Sequence, residues 1–409
     1  MKKILVSLAA ASIVATAGMA DVDFKTSGQA VVYYNTVGDN GTDGADLFSN
    51  NGNDNTDGNF GVQLNFDADL KNDFTFGSQI SYLGTLGLEK NVVNGTVQGT
   101  NAANSNSVAL TKLYIAKKMG NTTLKMGRQE LPKALSPLAF SEGWSVFKNT
   151  FDASLLVNTD IKDTVIVGAY VNKVNSVAGD LVTYNNLSVG STLGALAVNE
   201  TAYMLTVQNK SLPMTTVTGS YYALENVAND GASAMWLDVA VADKSLPMGL
   251  KAGFQAGNIA SEISATDDTN VWGAKVCVTP IKELTVGAAY TSVNDGTFNV
   301  QNTGGVKTPL FTQMVGNQAA LYNDNNTFMF KATYDVADYG VVGASYAQTD
   351  DRSATDDDFA ELDVTYKFKA AGVDFLAAYV SQDWDKSTHG TTGDADHQDI
   401  VRVVARYNF

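Results

Sequence analysis

Asp399-Ile-Val-Arg-Val-Val-Ala-Arg-Tyr-Asn-Phe409 divides between two faces of an extended strand. Val401, Val403, Ala405, Tyr407 and Phe409 share one side, and Ile400, Arg402, Val404, Arg406 and Asn408 share the other. One face is apolar and ends in aromatics, while the other carries two arginines. A wall with lipid on one side and water on the other satisfies both faces together, so the stretch predicts a strand of a transmembrane β-barrel.

Working outward, residues 59–70 repeat the pattern. Phe60, Val62, Leu64, Phe66, Ala68 and Leu70 alternate with Gly61, Gln63, Asn65, Asp67 and Asp69. After Lys71-Asn72 the apolar face resumes with Phe74, Phe76, Ile80 and Tyr82, which makes a long hairpin. Short turns recur near 119–121, 160–163, 210–213, 244–247, 280–282, 337–340 and 369–372, and Lys-Ser-Leu-Pro-Met occurs twice, at 210–214 and 244–248. With a first strand over about 22–36 and the last strand, the count reaches about 18 strands, an even number as bacterial single-chain barrels require. Nine connections rich in Gly, Asn, Asp, Ser and Thr separate the hairpins: 37–58, 84–107, 130–149, 172–200, 226–233, 259–270, 294–326, 350–358 and 383–398. Short turns on one side and long loops on the other put both termini at the periplasmic side.

The expectation is an all-β, antiparallel, up-and-down transmembrane barrel in one unit, residues 21–409, behind a cleavable signal peptide at residues 1–20. Met1-Lys-Lys, an apolar segment and Gly18-Met19-Ala20 carry the signal reading. That implies export and the outer membrane of a Gram-negative bacterium. The 27 basic and 43 acidic residues give a net charge of −16, which argues against nucleic acid as a partner. The single cysteine, Cys277, excludes an internal disulfide. Beyond the signal no run of eighteen apolar residues occurs, so any insertion uses strands.

Aromatic residues collect at strand ends. Tyr33, Tyr34, Tyr82, Tyr170, Tyr221, Tyr222, Tyr290, Tyr346 and Tyr379 are expected at the outer interface, and Tyr334, Tyr366, Phe368, Tyr407 and Phe409 at the inner one. The third long loop stands apart from the rest. It carries Leu131, Leu135, Leu138, Phe140, Trp144 and Phe147 with two of the six prolines. Such a loop is expected to fold inward, pack on the wall and narrow the pore with Glu130, Lys133, Glu142 and Lys148. The alternative is an outward loop touching neighbouring subunits or lipopolysaccharide.

Gly127-Arg128-Gln129 leading into a proline-containing third loop, the signal segment, eighteen strands and a terminal Arg-Tyr-Asn-Phe resemble the major outer-membrane porins of Campylobacter and related bacteria. The chain is more distantly similar to the substrate-selective porins of pseudomonads. The resemblance implies a trimeric, water-filled diffusion channel with a cation preference, passing ions and small hydrophilic solutes. It also implies that Tyr407 and Phe409 form the address read by the barrel insertion machinery. Porins of that group can bind calcium through pore carboxylates; no ligand set is matched here residue by residue, no cofactor is required, and any metal site is unassigned.

Read from the polar faces alone, the pore lining comprises Lys125, Asp152, Asp238, Lys251, Lys331, Glu361, Asp363, Lys367, Arg402 and Arg406. Arg128 is out of phase with the lumen, so it sits above the lipid band or follows a bulge at Gly127. Overall acidity supports cation preference. The acid clusters at 39–46, 54–57 and 350–358 invite calcium, yet Asn50 stands where a calcium loop needs its final glutamate. His389 and His397 are the only histidines, and both read as loop residues. A barrel enzyme would want a histidine base on the wall, so an adhesin or purely structural barrel is the stronger competitor to a pore.

Overall fold

The computed structural model describes residues 22–41, 44–49, 55–98, 106–143, 145–175, 181–264, 266–316, 323–353, 356–386 and 395–409. The expected signal segment lies outside the described residues, as do Asp43, Asn50, Asp54, Trp144 and His389.

Alternating side chains force extended backbone, and the chain folds almost wholly into strands. In order these are β1 (Asp23–Asp39), β2 (Asn55–Asp69), β3 (Phe74–Gly84), β4 (Ser107–Met119), β5 (Thr122–Gln129), β6 (Phe151–Asn158), β7 (Thr164–Asn175), β8 (Tyr184–Asn186), β9 (Ser188–Ser191) and β10 (Gly194–Ala197). They continue as β11 (Ala202–Asn209), β12 (Thr215–Val227), β13 (Asp230–Ala242), β14 (Lys251–Ser261), β15 (Thr269–Ile281) and β16 (Leu284–Val293). The last five are β17 (Asn325–Asp335), β18 (Val341–Asp351), β19 (Phe359–Ala370), β20 (Val373–Trp384) and β21 (His397–Asn408). Strands β8 to β10 belong to the fourth loop. The other eighteen pair antiparallel in sequence, and β21 returns to β1, which closes the barrel. Among the described residues no helix is long and apolar enough to cross a membrane.

The closing register places Gln29 opposite Asn408, Val31 opposite Arg406, Tyr33 opposite Val404 and Asn35 opposite Arg402. These residues line the inside, while Val32, Val403 and Tyr407 are exposed on the outer wall. Gly28 and Phe409 exchange backbone hydrogen bonds of 2.7 and 3.0 Å, which ties the last residue into the seam.

All eight short turns lie where the sequence predicts them. The fifth long connection does not. Residues 226–233 were expected as a loop, but β12 and β13 meet in a two-residue turn whose Ala228 and Asn229 both have positive φ (51° and 71°). Their backbone twist matches that of the flanking strands, so the hairpin runs on past the turn-residue cluster.

The outer wall carries Tyr170, Tyr221, Tyr346 and Tyr379 at one end of the strands and Tyr334, Tyr366, Tyr407 and Phe409 at the other, all exposed. Tyr33 and Tyr222 depart from that expectation. Each stands next to a second tyrosine, Tyr34 or Tyr221, and period two turns one of each pair inward, leaving Tyr33 and Tyr222 buried at 2% and 4%.

The seam depends on Gly28. A Cβ there would lie 2.6 Å from the Gln63 carbonyl oxygen and from the Phe409 ring, whereas one at Gly168 would meet nothing within 4 Å. Gly28→Val should therefore cut the yield of heat-modifiable, folded barrel severalfold in detergent refolding, while Gly168→Val leaves it unchanged. Equal yields from both variants would show that the seam does not control closure.

Candidate functional site: the lumen around the third loop

The third loop, residues 130–150, enters the barrel. Leu131, Leu138, Phe140 and Phe147 are each at most 4% exposed, and burying a side chain of this size contributes about 1.5–3 kcal/mol. That gain decides between the inward and outward readings. Leu131 and Leu138 join Phe151, Val167, Val171, Trp236 and their neighbours in one apolar cluster on the inner wall. Val146 and Phe147 pack with Val31, Tyr33 and Leu83 in another. Tyr222 points inward for a reason: its hydroxyl accepts the Leu138 N–H at 3.2 Å.

The seventh loop, through its described residues 294–316, enters as well. Phe298, Val300 and Leu310 are buried in the same inner cluster as Leu131. Several contacts tie the two loops together, two of them centred on Asn302 and Glu142. Asn302 accepts the Phe140 N–H through Oδ1 and donates through Nδ2 to the Phe140 carbonyl, both at 2.8 Å. Glu142, 2% exposed, accepts Asn302 Nδ2 (2.9 Å) and the N–H groups of Val306 (2.8 Å) and Lys307 (3.0 Å). Glu142 was expected as a pore charge; it is instead a fastener between loops, because three converging donors hold its carboxylate out of the water.

The other interior carboxylates behave similarly. Glu361 and Asp363 project inward from β19 as expected, yet they are 0% and 2% exposed. Glu361 accepts Gly316 N–H (2.7 Å) and Gln382 Nε2 (2.7 Å), and Asp363 accepts Val315 N–H (3.2 Å) and Ser345 Oγ (3.2 Å). Asp238 faces inward and accepts Trp236 Nε1 at 2.8 Å. Glu130 sits between Lys112 (2.5 Å) and Lys148 (3.2 Å). Its surroundings oppose ionisation, but the two ammonium groups outweigh them and hold the carboxyl below its usual range.

The bases point toward open space. Gly143, near the tip of the third loop, borders three hollows of about 510, 580 and 430 Å³. Around the first stand Lys367, Lys369, Arg402 and Arg406 with Asp374, around the second Lys112, Lys148 and Arg406 with Glu130, and around the third Lys307, Lys331, Lys367 and Arg402 with Asp363, so bases outnumber acids at each. Lys125 also faces inward, with its Nζ 3.7 Å from the Tyr114 ring centre, and Lys251 lies at the inner end of β14. Lys133 donates to the Thr308 carbonyl at 3.1 Å. The surrounding protein, with Lys307 beside it, pushes its ammonium down to about 8. Lys133 is nevertheless exposed to the lumen, so screening by water limits that shift.

Asp152 does not line the pore. Its neighbours Phe151 and Ala153 face inward and are buried, so period two sends Asp152 to the outer wall. There it pairs with Arg128 at 2.8 and 3.1 Å, and the guanidinium stacks 3.3 Å from the Tyr184 ring centre. The register of β5 is continuous with both neighbours, so no bulge returns Arg128 to the lumen. Lys112, Lys275 and Lys307 are the interior bases that the sequence reading missed. Lys112 follows an irregularity in the β3–β4 pairing. Lys307 lies in a loop whose Phe298, Val300, Leu310 and Met314 carry the same apolar signature that singled out the third loop.

His397 is not a loop residue, because it begins β21. Its Nδ1 lies 2.7 Å from Asp383 and its Nε2 3.3 Å from Asp399, so both ring nitrogens face carboxylates rather than a nucleophile. In the first acid cluster, Asp39 Oδ1 accepts the N–H groups of Gly41 and Ala45 and shapes its own loop. Among the described residues no group of three or more His, Cys, Asp or Glu side chains is placed to hold a metal ion.

No protein-family model matches the chain, and no curated protein matches it by sequence. Solved structures do share its fold. OccK8 (OprE) of Pseudomonas aeruginosa superposes with a TM-score of 0.75 at 16% identity, covering 95% of this chain and 98% of that one. OccAB3 of Acinetobacter baumannii gives 0.75 at 15%, covering 95% and 99%. OpdK of Pseudomonas aeruginosa, solved with vanillate, gives 0.76 at 12%, covering 95% and 98%. The fold is thus the closed eighteen-strand barrel of bacterial outer-membrane porins, reached with little sequence in common.

Removing the Glu142 carboxylate would strand three buried donors. Glu142→Ala should loosen the seventh loop, raising single-channel conductance and current noise and costing about 3 kcal/mol of local stability. Unchanged conductance with unchanged protease resistance of the loop would show that the fastener is dispensable.

Proposed function

We propose that this protein is an outer-membrane porin, a water-filled channel for passive diffusion of small hydrophilic solutes, whose narrow section favours anions of the carboxylate class. One observation carries the reading. Inside the barrel the buried carboxylates Glu142 and Glu361 serve as acceptors for loop backbone, while lysines and arginines outnumber the acids Asp374, Glu130 and Asp363 around the hollows at the third-loop tip. An acid whose lone pairs already accept protein N–H groups contributes little to a passing ion. A base facing water contributes fully.

Cation preference, expected from the overall charge, belongs to a different place. Asp356, Asp357 and Asp358 crowd the eighth loop, at the mouth. There they act on ion concentration over a Debye length of about 8–10 Å and are screened by salt. Selectivity follows the narrowest section. That vanillate, a carboxylate, accompanies one structural neighbour agrees with the chemistry of the basic hollows.

Planar-bilayer recording in a salt gradient tests both levels. Stepwise conductance with a reversal potential of anion-selective sign is expected, and Arg402→Gln with Arg406→Gln should shift that potential toward zero. Absence of steps would sink the pore, and a cation-selective sign would sink only the anion assignment. Lys133 supplies a pH signature. Its pKa is lowered toward about 8, less far where water screens it, so anion preference should begin to fall as the pH rises past about 8 in the wild type and fall less in Lys133→Met.

A further inference from the structure

On the outer wall of β15 to β18, away from the lumen, three rings form a contiguous cluster. The Trp272 and Tyr290 ring centres are 5.0 Å apart, and those of Tyr290 and Phe328 are 4.6 Å apart. Their register places them outside: Val271, Thr291 and Thr327, one residue along the respective strands, are buried on the inner face. Trp272 and Phe328 are 47% and 57% exposed. Together with Asn326, Gln348 and Asp350 the rings border a hollow of about 570 Å³. Tyr290 donates its hydroxyl proton to Asn326 Oδ1 at 2.9 Å, which orients the Asn326 amide hydrogens away from the tyrosine.

We propose that this hollow is a binding site for a sugar ring of the outer-leaflet glycolipid. Three features select that occupant. Exposed aromatic faces suit the C–H face of a pyranose. The polar row of Asn326, Gln348 and Asp350 supplies amide donors and carboxylate and carbonyl acceptors for its hydroxyls. Below the polar row the same wall continues as exposed Phe330, Tyr346 and Leu362, an apolar strip for acyl chains. The surface is therefore amphiphilic in the order of a glycolipid: sugar toward the extracellular mouth, chains toward the membrane centre. The site rests on the outer-membrane reading but is independent of what the pore conducts.

The test uses the full chain folded in detergent, with native mass spectrometry against rough-type lipopolysaccharide and, separately, dioleoyl phosphatidylglycerol. Retention of lipopolysaccharide over phosphatidylglycerol is expected. Trp272→Ala and the double variant Asn326→Ala, Gln348→Ala should each weaken it about tenfold, with heat modifiability and single-channel conductance unchanged. Equal retention by the variants overturns the site. Equal binding of both lipids, lost together in Trp272→Ala, overturns the sugar assignment in favour of a general lipid contact. A loss of oligomer in place of lipid assigns the face to a second copy of the chain. Conductance without glycolipid retention sinks this inference alone, whereas glycolipid retention without conductance sinks only the pore.

Discussion

The closure of β21 on β1 is the constraint on which the rest of the structure depends. A strand with one apolar, lipid-ready face cannot leave its edge N–H and C=O groups unpaired where no water reaches them, and each unsatisfied group there costs several kcal/mol. Eighteen strands in one ring remove both edges. The reciprocal bonds of Gly28 and Phe409 complete the ring at its last residue, which is why a glycine sits opposite an aromatic there. Closure also fixes the inside. Once the outer wall takes every second side chain, the remaining half, Arg402 and Arg406 included, has only the lumen to occupy.

Filling that lumen raises a second problem. The inner wall of β6, β7 and β11 to β13 is itself apolar, with Phe151, Val167, Val171, Met204 and Trp236 buried against the inserted loops. Water against these residues would be unfavourable, so the third and seventh loops cover them. Each covering loop then brings backbone N–H groups into a partly dry interior, where they need acceptors. Glu142, Glu361 and Asp363 meet that need. The sign of the lumen is thus in part a consequence of packing: several acids are recruited to hold loops, and bases outnumber acids beside the open space.

Alternation was enough to read the strands, the eight short turns and the inward phase of Lys125, Asp238, Lys331, Glu361, Lys367, Arg402 and Arg406, because each depends on neighbours one or two positions away. It failed where geometry depends on something more distant. Asp152 was assigned to the lumen because a charge on a strand suggested water; its phase against Phe151 and Ala153 puts it outside, where Arg128 neutralises it. The turn at Ala228-Asn229 failed because polar, small residues mark both loops and tight hairpins. The inward course of the seventh loop was visible in its Phe298, Val300 and Leu310, but a loop's apolar residues do not state which wall they will meet.

The sequence by itself determined the architecture: period two, even strand number and the asymmetry of turns and loops are local properties, and an alternating strand has few ways to satisfy both faces. Tertiary structure alone decided the character of the channel. Whether a carboxylate such as Glu142 faces an ion or a backbone N–H depends on which loop crosses above it, and that depends on packing between segments about 160 residues apart rather than on either segment alone.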